Sequence, residues 1–225
     1  MKFEIPFLSR KLGDSPGIAG DEGQQISDTL HGKYYHANEQ GRIFSNSPTP
    51  LGLAIPIYTA TALAGGMPVW NPIGSGVKVV PISATVAYAS GTSAYAAVGL
   101  MARNGMGSVI GTGQQATAFA ETIPLNGRLG LVNSISGQGG GNASRVKSSR
   151  AGTVTVTAGV AAEWVQTLFS INLEAATGTA HGVLASKHEF DGTLEVYPGT
   201  MIWLASTLAS VALYAITIVW EEIPI

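Results

Sequence analysis

An uncharged stretch near the end of the chain constrains the fold more than any other feature. Residues 199–220, "GTMIWLASTLASVALYAITIVW", contain no Asp, Glu, Lys or Arg. A stretch of this length either crosses a bilayer as a helix or is buried as strands. Glu195 and Glu221 flank it, whereas a spanning helix usually has basic flanks on its cytoplasmic side. The hydroxyl groups of Ser206 and Thr207 predict a break, so we interpret the stretch as a buried hairpin of two strands.

Alternating apolar and polar residues predict strands elsewhere in the chain. Turn sequences such as "NPIGSG", "FDG" and "YPG" separate these runs, which favours a β-sandwich or barrel. The best helical candidate, residues 112–123, is short. "VPISATVAYASG" predicts a face made of Val80, Ile82, Ala84, Val86 and Tyr88. "YAITIVWEE" predicts another made of Tyr214, Ile216, Ile218 and Trp220.

The distribution of charge divides the chain into an arm and a body. Residues 1–42 carry eleven charged side chains, whereas residues 43–120 carry only Lys78 and Arg103. We therefore predict an extended N-terminal arm at residues 1–30 and a β-sandwich body at 31–225; the alternative for the arm is a frayed terminus without a role. We expect partner contacts through Phe3, Ile5, Phe7, Arg10, Lys11, Tyr34 and Tyr35.

Composition excludes several classes of function. The chain has no cysteine, which removes disulfides, thiolate metal ligands and cysteine nucleophiles. A net charge of -2 does not favour nucleic acid or an anionic membrane as partner. The start, "MKFEIPFLSRKLGDSPG", lacks the apolar core of a signal peptide because Glu4 and Pro6 interrupt it. We expect a protein made in the cytoplasm, with neither a membrane nor a nucleic-acid partner.

The search for a catalytic or metal-binding motif finds no complete set. The chain contains neither GxxxxGK[ST] nor G-x-S-x-G. His31 and His36 are five residues apart, which fits neither a helical nor a strand pair of metal ligands. We read Asp191 in "HEFDG" as part of a solvated turn, and "SRVKSSR", residues 144–150, as an exposed mobile loop. We therefore expect no enzyme, no cofactor and no metal.

Three stretches carry a resemblance to a known class of protein: "HGKYYHANEQGRIFSNSPT", "PVWNPIGSGVKVVPISATVAYASGT" and the terminal "LEVYPGTMIWLAS" with "TIVWEEIPI". Over residues 31–225 the outline resembles virion structural proteins of tailed bacteriophages, particularly jelly-roll β-sandwich proteins that decorate or cement the capsid. The resemblance implies a jelly-roll-like sandwich on the capsid surface, bound to major capsid protein subunits and to itself as a homotrimer.

Two alternatives to a decoration protein remain open. A tail-tip or fibre module that recognises a host glycan would need an exposed Tyr or Trp beside carboxylates, for which "HEFDG" is the candidate in the sequence. An enzyme on a jelly-roll or cupin scaffold would need clustered His and carboxylate ligands, and the C-terminal half offers only His181 and His188.

Overall fold

The structure is a computed structural model of the full chain. It describes residues 18–19, 25–26, 32–47, 52–58, 63–91, 96–104, 116–118, 124–128, 143–148, 153–156, 162–171, 185–208 and 212–225. The chain divides into two compact units, Met1–His36 and Ala37–Ile225. Most of the predicted arm lies outside the described residues, so its extended character stays a prediction.

The described elements are almost all strands. The first unit contains β1 (Ile18–Ala19) and β2 (Gln25–Ile26), which pair antiparallel, and α1 (Tyr35–Glu39) begins at its end. The strands that follow are β3 (Ile43–Asn46), β4 (Leu63–Gly65), β5 (Val69–Asn71), β6 (Val77–Ser90), β7 (Ala96–Arg103), β8 (Ala116–Ala118), β9 (Leu125–Asn126), β10 (Lys147–Ser148), β11 (Thr153–Val156), β12 (Glu163–Ile171), β13 (Ala185–Glu189), β14 (Thr200–Ser206) and β15 (Leu213–Pro224).

Two five-stranded antiparallel sheets pack together as a β-sandwich, which confirms the predicted fold class. Sheet 1 has the strand order β10-β5-β14-β7-β12, and sheet 2 has the order β13-β6-β15-β3-β9. A further small sheet has the order β4-β11-β8. Since β8 covers Ala116–Ala118, the prediction of a helix in residues 112–123 was wrong at these positions.

The core between the sheets follows from strict alternation along the central strands. In β15, Tyr214, Ile216, Ile218 and Trp220 are all at most 2% exposed, which confirms the predicted face. Their neighbours Ala215, Thr217 and Val219 are only partly buried. On the other side of this core, the apolar side chains of sheet 1 are Val69, Val98, Leu100, Ile202 and Leu204.

The uncharged stretch forms two strands but not a hairpin. β14 pairs with β5 and β7 in sheet 1, whereas β15 pairs with β3 and β6 in sheet 2. The break lies where Ser206 and Thr207 predict it: the Ser206 hydroxyl donates to the carbonyl of Leu208 at 2.6 Å, and the Thr207 hydroxyl accepts the Ala97 N–H at 3.0 Å. The hydroxyls therefore end β14 and let the chain cross from one sheet to the other.

A bulge in β6 corrects the predicted face of that strand. Ser83 pairs with Val219, but Pro81 pairs with Trp220, so β6 has one extra residue, Ile82, at this point. Because side chains alternate along a strand, the extra residue reverses which side chains of β6 point inward in the part of the strand before Ile82. Ala84 and Val86 are buried as predicted, whereas Val80 and Ile82 are only partly buried and Val77, Val79 and Pro81 occupy the inner positions instead.

Sheet 1 is apolar on both faces. In β14, Ile202 and Leu204 belong to the core between the sheets, while the alternate residues Met201 and Trp203 belong to a second buried cluster on the opposite face. A continuous apolar run such as "MIWLA" is typical of a strand covered on both sides. The second cluster also contains Trp70, Met101 and Ala205, with Trp164 packed against it.

Candidate interaction surface

The structure describes only part of the predicted contact set. Phe3, Ile5, Phe7, Arg10 and Lys11 lie outside the described residues. Tyr34 is partly buried, with the Lys33 ammonium 5.3 Å from its ring centroid. Tyr35 is 37% exposed and meets the His36 ring edge-on. These tyrosines present an aromatic and basic surface within the first unit.

A second surface lies at one end of the sandwich, and we call it the end surface: Ile73, Tyr197 and Ile225. These side chains are 55%, 52% and 64% exposed. Backbone hydrogen bonds hold their segments together, because the Gly199 N–H donates to the Asn71 carbonyl at 2.7 Å and the Ile225 N–H donates to the Gly76 carbonyl at 3.2 Å. Three apolar side chains are thus presented by adjoining segments.

Two tight turns carry Ile73 and Tyr197 of the end surface. In residues 72–75 the Ser75 N–H donates to the Pro72 carbonyl, and Gly74 has a φ of 84°. In residues 197–200 the Thr200 N–H donates to the Tyr197 carbonyl, and Gly199 has a φ of 88°. A positive φ at the third position is the pattern of a type II turn, which glycine adopts without strain. Turn chemistry, and not burial, therefore places Ile73 and Tyr197 in solvent.

The side chain of Asn71 stabilises these two turns through hydrogen bonds. It is fully buried, and its side-chain Nδ2 donates to the carbonyls of Val77 and Val196, each at 2.9 Å. Its Oδ1 accepts the Ser75 hydroxyl at 2.6 Å. One amide thus ties the 72–75 turn to β6 and to the segment before Tyr197. These hydrogen bonds hold the two turns that present Ile73 and Tyr197 in one arrangement.

A polar cluster borders the end surface. The Lys78 Nζ lies 2.6 Å from Glu195 Oε1, and the Tyr197 hydroxyl donates to Glu195 Oε2 at 2.9 Å. The hydrogen bond from Lys78, then that from Tyr197, lowers the pKa of Glu195. The same bonds raise the pKa of Lys78 and of Tyr197. Because Lys78, Glu195 and Tyr197 are solvent-accessible, their contacts contribute little to the stability of the fold, and their main effect is to orient the Tyr197 side chain.

The basic segment "SRVKSSR" is not a mobile loop where the structure describes it. Val146 and Ser148 are 3% and 0% exposed. Val146 packs in the core between the sheets, and Lys147–Ser148 is strand β10 of sheet 1. Arg145 is exposed, in agreement with the prediction, but its backbone is hydrogen-bonded to Glu222. The sequence did contain a signal for this packing: an apolar residue, Val146, lies between the cations Arg145 and Lys147.

The "HEFDG" sequence forms the turn that the sequence predicts. The Thr193 N–H donates to the Phe190 carbonyl at 2.9 Å, and Asp191 and Gly192 both have positive φ, as in a type I′ turn. The carboxylate of Glu189 pairs with Lys187 at 2.7 Å. The carboxylate beside an exposed aromatic ring is instead Glu195, next to Tyr197.

Sequence reasoning missed the end surface, although a signal was present. Ile73 and Tyr197 are large apolar residues inside turns whose other members are turn formers.

Within the described ranges, no three His, Asp or Glu side chains are grouped to hold a metal ion. No helix in the described part of the chain has the length and hydropathy needed to cross a membrane. Comparison with known protein families, curated proteins and solved structures finds no significant match.

Proposed function

We propose that this chain is a structural protein of a bacteriophage particle that binds and stabilises the capsid shell. The observation that carries the proposal is the end surface: Ile73 and Tyr197 are exposed on two hydrogen-bonded turns, and the exposed Ile225 directly follows β15 beside them. Large exposed apolar and aromatic side chains on a rigid base are typical of protein contacts. The low charge of the chain, 12%, and the resemblance of its sequence to decoration proteins support the same role.

In this role the chain has no catalytic step. Its contribution is a rigid sandwich that bridges capsid subunits, and the tyrosines at 34 and 35 and the arm provide further contacts. A homotrimer would multiply each modest contact by avidity. Sedimentation of the purified protein at micromolar concentration tests self-association: a single species near three times 23.2 kDa is expected, and a clean monomer would contradict it.

Binding to capsid shells tests the role of the end surface. Purified shells that lack this protein are mixed with wild type, with Ile73→Ala and with Tyr197→Ala, and bound protein is measured by co-sedimentation. Since contact anchors each contribute about 2 kcal/mol or more, each variant should bind at least about tenfold more weakly. Val165→Ala is the matched control, because Val165 is 42% exposed on β12, an edge strand of sheet 1 that pairs with none of the strands next to the end surface. Equal binding by all four proteins would contradict the proposal.

One observation favours a second candidate, a tail-tip or fibre module that binds a glycan. The Tyr197 ring is 52% exposed, and its hydroxyl is bonded to the Glu195 carboxylate. An aromatic face beside a carboxylate offers a sugar both stacking and hydrogen bonding. Glycan-array binding that is lost in Tyr197→Ala, with capsid binding absent in wild type, would favour this candidate over decoration.

A further inference from the structure

Residues 143–148 cross from one sheet of the sandwich to the other, and we call this segment the strap. At its C-terminal end, Lys147 and Ser148 pair with Trp70 and Val69 of β5 in sheet 1. At its N-terminal end, the strap bonds to Glu222 on β15 in sheet 2. The side chain of Ser148 also bonds to Asn46 of β3 in sheet 2. The strap therefore joins strands that share no ladder.

Glu222 is the polar anchor of the strap. It is 5% exposed, on the same inward-facing side of β15 as Trp220. Its Oε1 accepts the Ser144 hydroxyl at 2.5 Å and the Trp220 indole N–H at 3.3 Å, and its Oε2 accepts the Arg145 N–H at 2.9 Å. The adjacent Glu221 points the other way and pairs with Arg42 at 3.1 Å.

Burial makes this anchor sensitive to pH. Removal from water raises the pKa of Glu222, although the bonds from Ser144, Arg145 and Trp220 and the charge of Arg145 oppose the shift. Two other cations are close to this part of β15: Arg42, just before β3, pairs with Glu221, and Lys78 of β6 pairs with Glu195. The charge that opposes the shift at Glu222 is that of Arg145.

The protonated side chain fits the same site. A proton on Oε1 can be donated to the Ser144 Oγ, because the Ser144 hydroxyl can then donate to the Val146 carbonyl, 2.9 Å away. Oε2 still accepts the Arg145 N–H. No donor faces a donor in this arrangement, so the neutral acid keeps the strap contacts without the cost of a buried charge.

We propose that the strap is a pH-sensitive fastening between the two sheets, held more firmly when Glu222 is protonated and loosened when Glu222 ionises. When the strap opens, water reaches Glu222 and its pKa returns toward the ordinary value of 4.5. Between that value and the raised value, the closed strap binds more protons than the open one. Rising pH therefore favours opening in this window, by about tenfold per pH unit for one linked proton.

Hydrogen exchange of the full-length protein tests the proposal. The protection factors of the Arg145 and Val146 amides, corrected for intrinsic exchange, are measured from pH 4.5 to pH 8. Wild type should lose protection as pH rises and then level off. Glu222→Gln should show protection that does not change with pH, because its amide can donate to Ser144 and accept from Arg145 without ionising, although the Trp220 N–H then loses its acceptor. Glu221→Gln is the matched control: it should keep the pH dependence, with a midpoint at or below that of wild type, because Arg42 loses its ion-pair partner beside Glu222.

The outcomes separate cleanly. Constant protection in wild type would overturn the proposal, as would an equal loss in wild type and Glu222→Gln, or removal of the pH dependence by Glu221→Gln. If Glu222→Gln does not fold, wild type and Glu221→Gln still decide, since both must lose protection with a midpoint above pH 4.5. The test does not involve capsids, so it stands apart from the proposed function.

Discussion

Gly99 lies directly against the indole ring of Trp164: a Cβ atom at position 99 would stand 2.2 Å from Cζ2 of that ring. The ring cannot easily yield, because its N–H donates to the Thr167 hydroxyl at 3.1 Å and it forms a T-shaped contact with the Tyr58 ring, with centroids 5.9 Å apart. The missing side chain of Gly99 thus allows an indole to lie across β7. The packing of Trp164 on sheet 1 depends on this glycine.

We expect Gly99→Ala to destabilise the protein by about 1–3 kcal/mol, the range for overpacking a buried site. Urea denaturation measures the change. Gly32→Ala is the control, because nothing lies within 4 Å of a Cβ at that position. A Gly99→Ala protein as stable as the control would show that the indole does not rest on β7.

A second prediction concerns the strap residue Val146. Because this side chain is 3% exposed in the core, Val146→Ala should lower the free energy of unfolding by about 2 kcal/mol, the value of burying two methyl groups plus a small cavity. The same change at Val165, which is 42% exposed, should stay within about 0.5 kcal/mol. Equal effects in thermal denaturation would restore the mobile-loop interpretation.

A third prediction concerns the buried amide of Asn71. Asn71→Ala removes the amide that donates to the carbonyls of Val77 and Val196 and accepts the Ser75 hydroxyl, which should cost about 1–3 kcal/mol. Asn71→Asp should cost more at neutral pH, because a buried carboxylate would then face those two carbonyls. Denaturant unfolding at pH 7 gives the order. Asn71→Asp as stable as wild type would contradict the hydrogen-bond assignment.

A fourth prediction concerns the arm. Deletion of residues 1–30 should leave the melting temperature of the isolated protein nearly unchanged, because residues 37–225 form a compact unit of their own. The same deletion should reduce incorporation into particles, since the arm that we predict to be extended has apolar residues near Pro6 and would be suited to lie along a partner. A large drop in melting temperature would mean that the arm belongs to the core of the body.

Local periodicity predicted long central strands such as β6 and β15, but not the short strands β8, inside a predicted helix, and β10, inside a predicted loop. The inward face of β15 follows from simple alternation, and the end of β14 follows from two hydroxyl residues. Local periodicity does not determine which strands pair, because two consecutive strands with the same local pattern can either pair in one sheet or lie in different sheets. The bulge at Ile82 could not be predicted for the same reason, since it is defined by pairing with Val219 and Trp220, which are distant in the sequence.

The interaction surface was less predictable than the fold. Exposure of Tyr197 depends on a type II turn and on Asn71, which is far away in sequence but bonds to the Val196 carbonyl. The anchoring role of Glu222 was also hidden, because an acidic residue after a strand normally predicts a solvated end. Burial of that carboxylate requires Ser144 and Arg145, which approach only when the sandwich has folded.

The central claim is that this chain belongs to the shell of a phage particle, and a cryo-EM map of purified particles tests it most directly. The account predicts density for the β-sandwich on the outer capsid surface, with Ile73 and Tyr197 against capsid subunits. Glu222 and the strap should then lie within each copy, between its two sheets. Particles whose shell and tail are fully explained by other chains would contradict the claim.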